Sequence, residues 1–267
     1  MTFNIDAYLD RIQLPLQTLD ITALTRLQDA QMRAIPFENI DVLLGEIPDL
    51  STEAVWKKLV EARRGGYCFE LNKLFEQALV ALGFSTRPSL CRVRMGAPTG
   101  GPRTHQAIIV SIDGTEWLAD AGFGGPGPVA PIRLDNREPQ IAGDVTFRLR
   151  TDPATGELVL ERRNGDQWFS LYGLDGAVAL PPDFEAANFI CARWDRSPFP
   201  TMLMANILTQ EGRASLMNRT FRHVRGAETE ERTVKTARQL GDLLEGTFGL
   251  SLPEDKIENI WAKASAA

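Results

Sequence analysis

The first third of the chain, residues 3–84, carries apolar residues every three or four positions, which is the spacing of one buried helical face. The predicted helices cover residues 6–12, 21–32, 51–62 and 68–82. Pro15 separates the first two, and Gly83 ends the last. Pro36 instead favours an extended turn over residues 35–41. This part of the chain is therefore predicted to be mainly helical.

After residue 84 the pattern changes to short β-like runs separated by turn residues. The predicted strands of this middle part cover residues 89–94, 106–112, 116–119, 146–150, 157–162 and 167–172. Many short strands with frequent turns are typical of a sandwich or a barrel. The last third is mixed, with helices predicted over 183–192, 228–244 and 253–263 and strands over 203–209 and 214–224. The pattern as a whole predicts an α+β fold.

Composition narrows the function classes. The net charge of −6 and the lack of a Lys/Arg cluster argue against a nucleic-acid partner. No apolar run approaches the length of a membrane span, and the first 15 residues lack a leader pattern. We therefore expect a cytoplasmic protein with neither nucleic acid nor membrane as partner.

The chain has three cysteines, an odd number at wide spacing, which fits neither a disulfide framework nor a zinc ribbon. Cys68 stands in the first turn of a predicted helix, just after the pair Gly65-Gly66. The free N–H groups and the dipole of a helix start favour a thiolate, and Arg63 and Arg64 add positive charge. The sequence therefore predicts a lowered pKa for this thiol. The alternative is a buried, inert cysteine.

A hairpin is predicted around Asp113-Gly114, because this pair favours a two-residue turn between strands. Counting outward from the turn sets Ala107 opposite Asp120. His105 then lies on the same face as Ala107 and diagonal to Asp120, within reach of an imidazole–carboxylate contact. The sequence thus pairs an acid with one of only two histidines in the chain.

This pairing suits cysteine chemistry. A cysteine nucleophile needs a histidine to hold its proton, and the histidine needs an acid to orient it. The alternative is a core histidine followed by a capping aspartate. A metal site lacks a fourth ligand and metal-like spacing, so no metal is expected. The second histidine, His223, is predicted to be a surface residue.

Four stretches of the chain resemble the arylamine N-acetyltransferases in content, order and spacing. They are Ile-Pro-Phe-Glu-Asn-Ile at 35–40, Arg-Gly-Gly-Tyr-Cys-Phe-Glu-Leu-Asn at 64–72, Thr-His at 104–105 and Asp-Ala-Gly-Phe-Gly at 120–124. The cysteine stretch is specific, whereas the histidine and aspartate stretches alone would be weak. The resemblance covers nearly the whole chain.

The resemblance implies a helical domain over 1–84, a β-barrel domain over 85–182 and an α/β lid over 183–267, with a papain-like Cys-His-Asp arrangement. It implies that Cys68, His105 and Asp120 are the catalytic residues. It implies ping-pong transfer of an acetyl group from acetyl-CoA, the co-substrate, to an arylamine, arylhydrazine or arylhydroxylamine. It further implies an aryl slot formed by Phe37, Phe123 and Phe199. Backbone at Gly100, Gly101, Thr104 and Gly124 is expected to approach CoA.

The chain departs from the family pattern at two places. Residues 192–195, Ala-Arg-Trp-Asp, replace the usual Ser-Thr-x-Pro, and Gln31 stands where a histidine is common. These departures leave the accepted amine and the acyl donor open. Three rival functions remain: a macrolactam-forming amide synthase of the same family, a cysteine hydrolase or transglutaminase-like enzyme, and a binding module. The oligomeric state, including a homo-oligomer, is also left open.

Overall fold

The computed structural model describes residues 3–15 and 18–266 of the chain. Its α-helices are α1 (Ile5–Ile12), α2 (Ile21–Ala34), α3 (Ile40–Leu43), α4 (Thr52–Trp56), α5 (Cys68–Leu82), α6 (Pro181–Arg193), α7 (Ala237–Phe248) and α8 (Glu254–Ala266). Its strands are β1 (Phe37–Glu38), β2 (Ser85–Val93), β3 (Arg103–Ile112), β4 (Thr115–Ala119), β5 (Ile132–Arg133), β6 (Gln140–Ala142), β7 (Val145–Thr151), β8 (Leu158–Asn164), β9 (Gln167–Leu174), β10 (Met204–Leu208), β11 (Arg213–Met217), β12 (Thr220–Arg225) and β13 (Glu228–Thr233). A π-helical turn, Lys57–Glu61, continues α4.

The helices predicted in the first third are confirmed. The side chains of Asn4, Asp20 and Ser51 each accept a hydrogen bond from the backbone three residues later, which caps α1, α2 and α4. Gly83 ends α5 with a φ of 99°, a conformation that glycine adopts without strain. These caps are local, and the sequence pattern was sufficient to find them.

The middle strands form an eight-stranded antiparallel sheet in the order β5-β4-β3-β2-β9-β8-β7-β6. The sequence missed β5 and β6, which are only two and three residues long. The Gln140 side chain joins these two edges, because its amide accepts from the backbone N–H of Arg133 and donates to the Arg133 carbonyl. The sheet is therefore a nearly closed barrel, one of the two arrangements that the strand pattern left open.

A second sheet, in the order β1-β10-β11-β12-β13, corrects the prediction for the last third. Residues 214–224 were expected to be one strand but form the hairpin β11–β12, which turns at Asn218 with a φ of 50°. Residues 228–233 were expected to begin a helix but form β13, which follows a turn at Gly226. Both turns have the positive φ that tight hairpins require. The open edge of β12 then pairs with β13, and that pairing outweighs the weak helical pattern.

The expected extended segment at 35–41 contains β1, which pairs with β10 from the last third of the chain. The two sheets and their helices enclose three apolar clusters. The β1–β10 pairing joins the first and last of the three predicted domains, so the domain boundaries at residues 84 and 182 stay a prediction. Within residues 3–15 and 18–266, no helix is both long and apolar enough to cross a membrane.

Strand β3 is buried on both faces. Ala107 and Ile109 point into the barrel, whereas Ile108 and Val110 pack in the cluster formed with the helices. His105 shares the inward face with Ala107 by the alternation of the strand. The start of α5 and the start of β3 therefore meet at a buried junction.

Candidate active site

Cys68 is the first residue of α5 and is 4% exposed. Glu70 accepts a hydrogen bond from the Tyr67 N–H and so fixes the first turn of the helix. A Cβ atom on Gly66 would lie 2.8 Å from the Glu70 carboxylate, and one on Gly65 would overlap the Pro36 carbonyl. The two glycines are thus needed because the chain runs close to its neighbours where it enters the helix.

The hairpin predicted at Asp113-Gly114 is confirmed. In β3 and β4, Ile112 pairs with Thr115 and Ile108 pairs with Ala119, which is the predicted register. Asp120 follows directly after β4, and its Oδ2 lies 2.7 Å from Nε2 of His105. The diagonal contact inferred from the register is therefore present in the fold.

The Asp120 carboxylate receives four further donors that fix it in place. Oδ2 also accepts from the Tyr172 hydroxyl at 2.8 Å, while Oδ1 accepts from the Asn72 amide at 2.9 Å and from backbone N–H groups at 122 and 123. Asn72 lies four residues after Cys68, one helical turn along the same face, so its proximity was readable from the sequence. Tyr172, on β9, had no sequence signal that tied it to Asp120.

The charges of the pair are set by burial and by contact. Burial alone lowers the pKa of His105, but the Asp120 carboxylate and the adjacent Cys68 raise it to about 10. Burial raises the pKa of Asp120, but His105, Asn72 and Tyr172 outweigh it and lower the pKa of that carboxyl. At neutral pH these shifts favour an imidazolium beside a carboxylate.

The lowered thiol pKa expected for Cys68 is wrong. Burial raises the pKa of Cys68 above its ordinary value, and the contact with His105 offsets only part of that effect. Arg64 does not supply the expected positive charge, because its guanidinium pairs with Glu38 and Asp41. The group that favours the thiolate is the His105 ring, together with the backbone N–H of Gln106.

Cys68 and His105 open onto a cavity of about 540 Å³. All three expected aryl-slot residues, Phe37, Phe123 and Phe199, line it. The rings of Phe37 and Phe199 lie 6.3 Å apart between centroids, and Phe123 lies 4.9 Å from His105. The wall is mostly apolar, as expected for a site that binds an aromatic ring.

The four residues expected near CoA divide into two groups. Gly101 and Thr104 line the cavity, but Gly100 and Gly124 are not part of its wall. Gly124 has a φ of 77°, and a Cβ there would lie 3.2 Å from the Phe37 ring. Gly124 is therefore required for the turn and for packing against Phe37.

The two departures from the family pattern have different positions. Trp194 lines the cavity and stacks under the guanidinium of Arg196, 4.0 Å from its ring centroid. Gln31 is fully buried and bonds the Tyr8 hydroxyl and the Leu71 carbonyl, so it belongs to the helical core. Only the departure at residues 192–195 can therefore change the cavity wall that contacts a substrate.

His223, predicted to be a surface residue, is partly exposed, and its Nε2 lies 3.1 Å from the Thr209 hydroxyl. Cys191, which the sequence did not single out, lines the same cavity as Cys68. Among the described residues, no group of three or more His, Cys, Asp or Glu side chains is arranged to hold a metal ion.

Comparison with known proteins gives the family. The N-acetyltransferase family model matches residues 20–257. The arylamine N-acetyltransferase / N-hydroxyarylamine O-acetyltransferase of Salmonella typhimurium is 38% identical, over 96% of this chain and 92% of that protein. The chain belongs to the arylamine N-acetyltransferase family. It is therefore an acetyltransferase enzyme.

Solved structures of this arylamine N-acetyltransferase family share the fold. The Salmonella typhimurium enzyme superimposes with a TM-score of 0.91 at 35% identity, covering 97% of each chain. The Mycobacterium marinum enzyme, solved in complex with CoA, superimposes with a TM-score of 0.90 at 32% identity, covering 97% of this chain and 99% of that one. The mixed helical and barrel architecture described above is thus that of the family.

Proposed function

We propose that the enzyme moves an acetyl group from acetyl-CoA, through a thioester on Cys68, to the nitrogen of an arylamine, arylhydrazine or arylhydroxylamine. The observation that carries the proposal is that Cys68 and the His105–Asp120 pair open onto one largely apolar cavity. The family relationship and the CoA complex of the Mycobacterium marinum relative support the choice of donor.

His105 holds the proton of the nucleophile. Its Nε2 faces Asp120, so Nδ1 is the nitrogen left to face the sulfur. The raised pKa of the ring favours transfer of the proton from sulfur to nitrogen. The transfer yields a thiolate beside an imidazolium. Asp120 keeps the ring oriented and stabilises its charged form.

In the first half-reaction the Cys68 thiolate attacks the thioester carbonyl. Donors for the resulting oxyanion are available from the Gln106 N–H and from the N–H groups at the start of α5. The intermediate collapses by breaking the bond to the CoA sulfur, which leaves with the proton from His105. Exchange between two thioesters is nearly balanced in energy, so the acetyl-enzyme forms without a large driving force.

In the second half-reaction the amine attacks the acetyl group on Cys68. An arylamine is weakly basic and therefore neutral and nucleophilic at pH 7. His105 accepts the proton that the nitrogen loses, and the bond from carbon to the Cys68 sulfur breaks to release the amide. The aromatic ring lies between Phe37, Phe123 and Phe199 in this proposal, since these side chains form the apolar wall.

Intact-mass spectrometry after incubation with acetyl-CoA alone tests the proposal. We expect the wild type to gain the mass of one acetyl group and to lose it when an arylamine is added. Cys68→Ala and Cys68→Ser should gain nothing, because a serine hydroxyl has too high a pKa to replace the thiol. Cys91→Ala is the matched control, since Cys91 is fully buried in the barrel interior. An unmodified wild type, or an adduct that persists in Cys68→Ala, would overturn the proposal.

A further inference from the structure

Cys68 and Cys191 share one backbone oxygen. The Cys68 sulfur lies 3.8 Å from the Thr104 carbonyl oxygen, and the Cys191 sulfur lies 3.5 Å from the same atom. The two sulfur atoms are therefore separated by no more than the sum of these two distances. Both cysteines are at most 4% exposed, and both line the cavity. Two thiols thus meet at a site where the proposed chemistry uses only one.

The two cysteines are held by different elements. Cys68 begins α5, and Cys191 lies near the end of α6, with Thr104 of β3 between them. The Ser197 hydroxyl donates to the Cys191 carbonyl at 2.6 Å, which fixes the backbone at the end of α6. Both side chains point towards the same carbonyl, so a disulfide requires the two sulfur atoms to leave this oxygen and move towards each other.

The two thiols differ in reactivity. Cys68 contacts the His105 ring, which can take its proton. Cys191 has no such partner in the contacts that set its pKa, and burial raises that pKa to about 12. Cys68 is therefore the thiol that reacts first with an oxidant, whereas Cys191 remains a protonated thiol beside it.

We propose that Cys68 and Cys191 form a reversible intramolecular disulfide when a hydroperoxide enters the cavity. The Cys68 thiolate attacks the peroxide oxygen, the O–O bond breaks, and a sulfenic acid forms while the alcohol or water leaves with the proton from His105. The Cys191 sulfur then attacks the Cys68 sulfur. The S–S bond forms, the S–O bond breaks, and the hydroxyl leaves as water with the Cys191 proton. Two thiols are oxidised, and one peroxide is reduced.

The disulfide would have two consequences for the enzyme. It occupies the sulfur that carries the acetyl group, so acetyl transfer stops until a thiol reductant restores Cys68. Formation of the disulfide also consumes the sulfenic acid before a second peroxide oxidises that group irreversibly to the sulfinic acid. The first consequence rests on the proposed role of Cys68, whereas formation of the bond does not.

Cys91 supplies the control within the same chain. It is fully buried inside the barrel, with its sulfur 4.0 Å from the Ser89 carbonyl, and it does not line the cavity. A disulfide that depends on proximity in the cavity should therefore exclude Cys91. Cys191→Ser keeps the size of the side chain and a donor for Thr104, and Cys191→Ala is a second variant in case serine disturbs packing.

The experiment treats the reduced full-length wild type, Cys191→Ser, Cys191→Ala and Cys91→Ala with one equivalent of hydrogen peroxide. Free thiols are then alkylated with iodoacetamide after denaturation, and the proteins are examined by intact mass and peptide mapping. We expect the wild type and Cys91→Ala to lose two hydrogen atoms and to yield a peptide that links Cys68 to Cys191. The Cys191 variants should instead gain oxygen on Cys68.

Recovery of acetyl transfer in dithiothreitol after treatment with excess hydrogen peroxide gives the second readout, each protein being compared with its own untreated sample. Full recovery is expected for the wild type, and recovery at least tenfold lower is expected for both Cys191 variants. A wild type that gains oxygen on Cys68 with Cys191 still alkylated, a link to Cys91, or equal recovery in all proteins would overturn the inference. Formation of the linked peptide in an enzyme that acetyl-CoA does not modify would overturn the proposed function alone.

Discussion

Five donors converge on the Asp120 carboxylate, and they explain how a buried acid stays ionised. The donors are the His105 ring, the Tyr172 hydroxyl, the Asn72 amide and the backbone N–H groups at 122 and 123. Hydrogen bonds to the charged form oppose the effect of burial and lower the pKa of the carboxyl. The ionised carboxylate in turn keeps the His105 ring protonated, which is the state that stabilises a neighbouring thiolate.

Asp120→Asn should lower the rate of Cys68 acetylation by about 10⁴-fold, because an amide cannot stabilise the imidazolium and selects the wrong ring tautomer. Burial then lowers the pKa of His105 unopposed by the carboxylate. Stopped-flow measurement of CoA release at pH 7 gives the rate. Tyr172→Phe is the control, since it removes one of the five donors and leaves the charge. A near-normal rate in Asp120→Asn, with the fold intact by circular dichroism, would contradict the role given to the pair.

The start of helix α5 depends on a buried network of charges. Lys58 pairs with Glu70, which caps the helix, and with Asp41, to which Arg64 and Lys256 also bind. The Lys58 side chain is 17% exposed, and that of Glu70 is 3% exposed. Removing one partner of such a pair leaves a buried charge without compensation. The first turn of α5, and with it Cys68, is therefore held from several parts of the chain.

Lys58→Met should reduce the free energy of unfolding by about 3 kcal/mol, because it leaves the Glu70 carboxylate buried without its cation. Urea denaturation followed by tryptophan fluorescence measures the change. Lys57→Met is the matched control on the neighbouring residue. Lys57 pairs with Glu53 in solvent, with both side chains about three-fifths exposed. The control should leave the midpoint nearly unchanged, and equal midpoints for the two variants would show that the network does not stabilise the helix start.

At the level of the whole molecule, the first and last thirds of the chain meet beside the cavity. Strand β1 pairs with β10, and the Asn39 side chain donates to the carbonyls of Phe199 and Met202 and accepts from the Met204 N–H. Asn39 is 2% exposed. One buried amide thus fixes the segment that brings Phe199 to the cavity wall, opposite Phe37.

Asn39→Ala should destabilise the fold by about 2 kcal/mol, because two carbonyls and one N–H lose their buried partner. It should also raise the KM for the arylamine more than it slows acetylation by acetyl-CoA, since the Phe199 segment loosens. Steady-state kinetics and single-turnover acetylation separate the two effects.

Asn218→Gly is the control for the Asn39 variant. Asn218 accepts from the Leu203 N–H but turns the β11–β12 hairpin outside the cavity wall, and glycine tolerates its positive φ. It should lower stability with no change in KM. If Asn39→Ala leaves the KM unchanged, the aryl wall does not depend on this junction.

Much of the architecture near the site was readable from the chain. The helix that begins at Cys68 and the register that sets His105 near Asp120 depend on residues close together in sequence, and both are present. Predictions failed where the deciding partners are distant in sequence. Pairing within the second sheet makes residues 214–224 a hairpin and residues 228–233 a strand, and burial of the thiol raises the pKa of Cys68.

Helix periodicity, caps and a two-residue turn act over a few residues, so the amino-acid order is enough to define them. It therefore set the position of the nucleophile at a helix start and the pairing of His105 with Asp120. Folding alone joined Tyr172 to Asp120, Cys191 to the Thr104 carbonyl beside Cys68, and β1 to β10. Those contacts link residues more than fifty positions apart, and no local preference encodes them. Burial and proximity arise when the chain closes on itself, and they set the charge and reactivity of the cysteine.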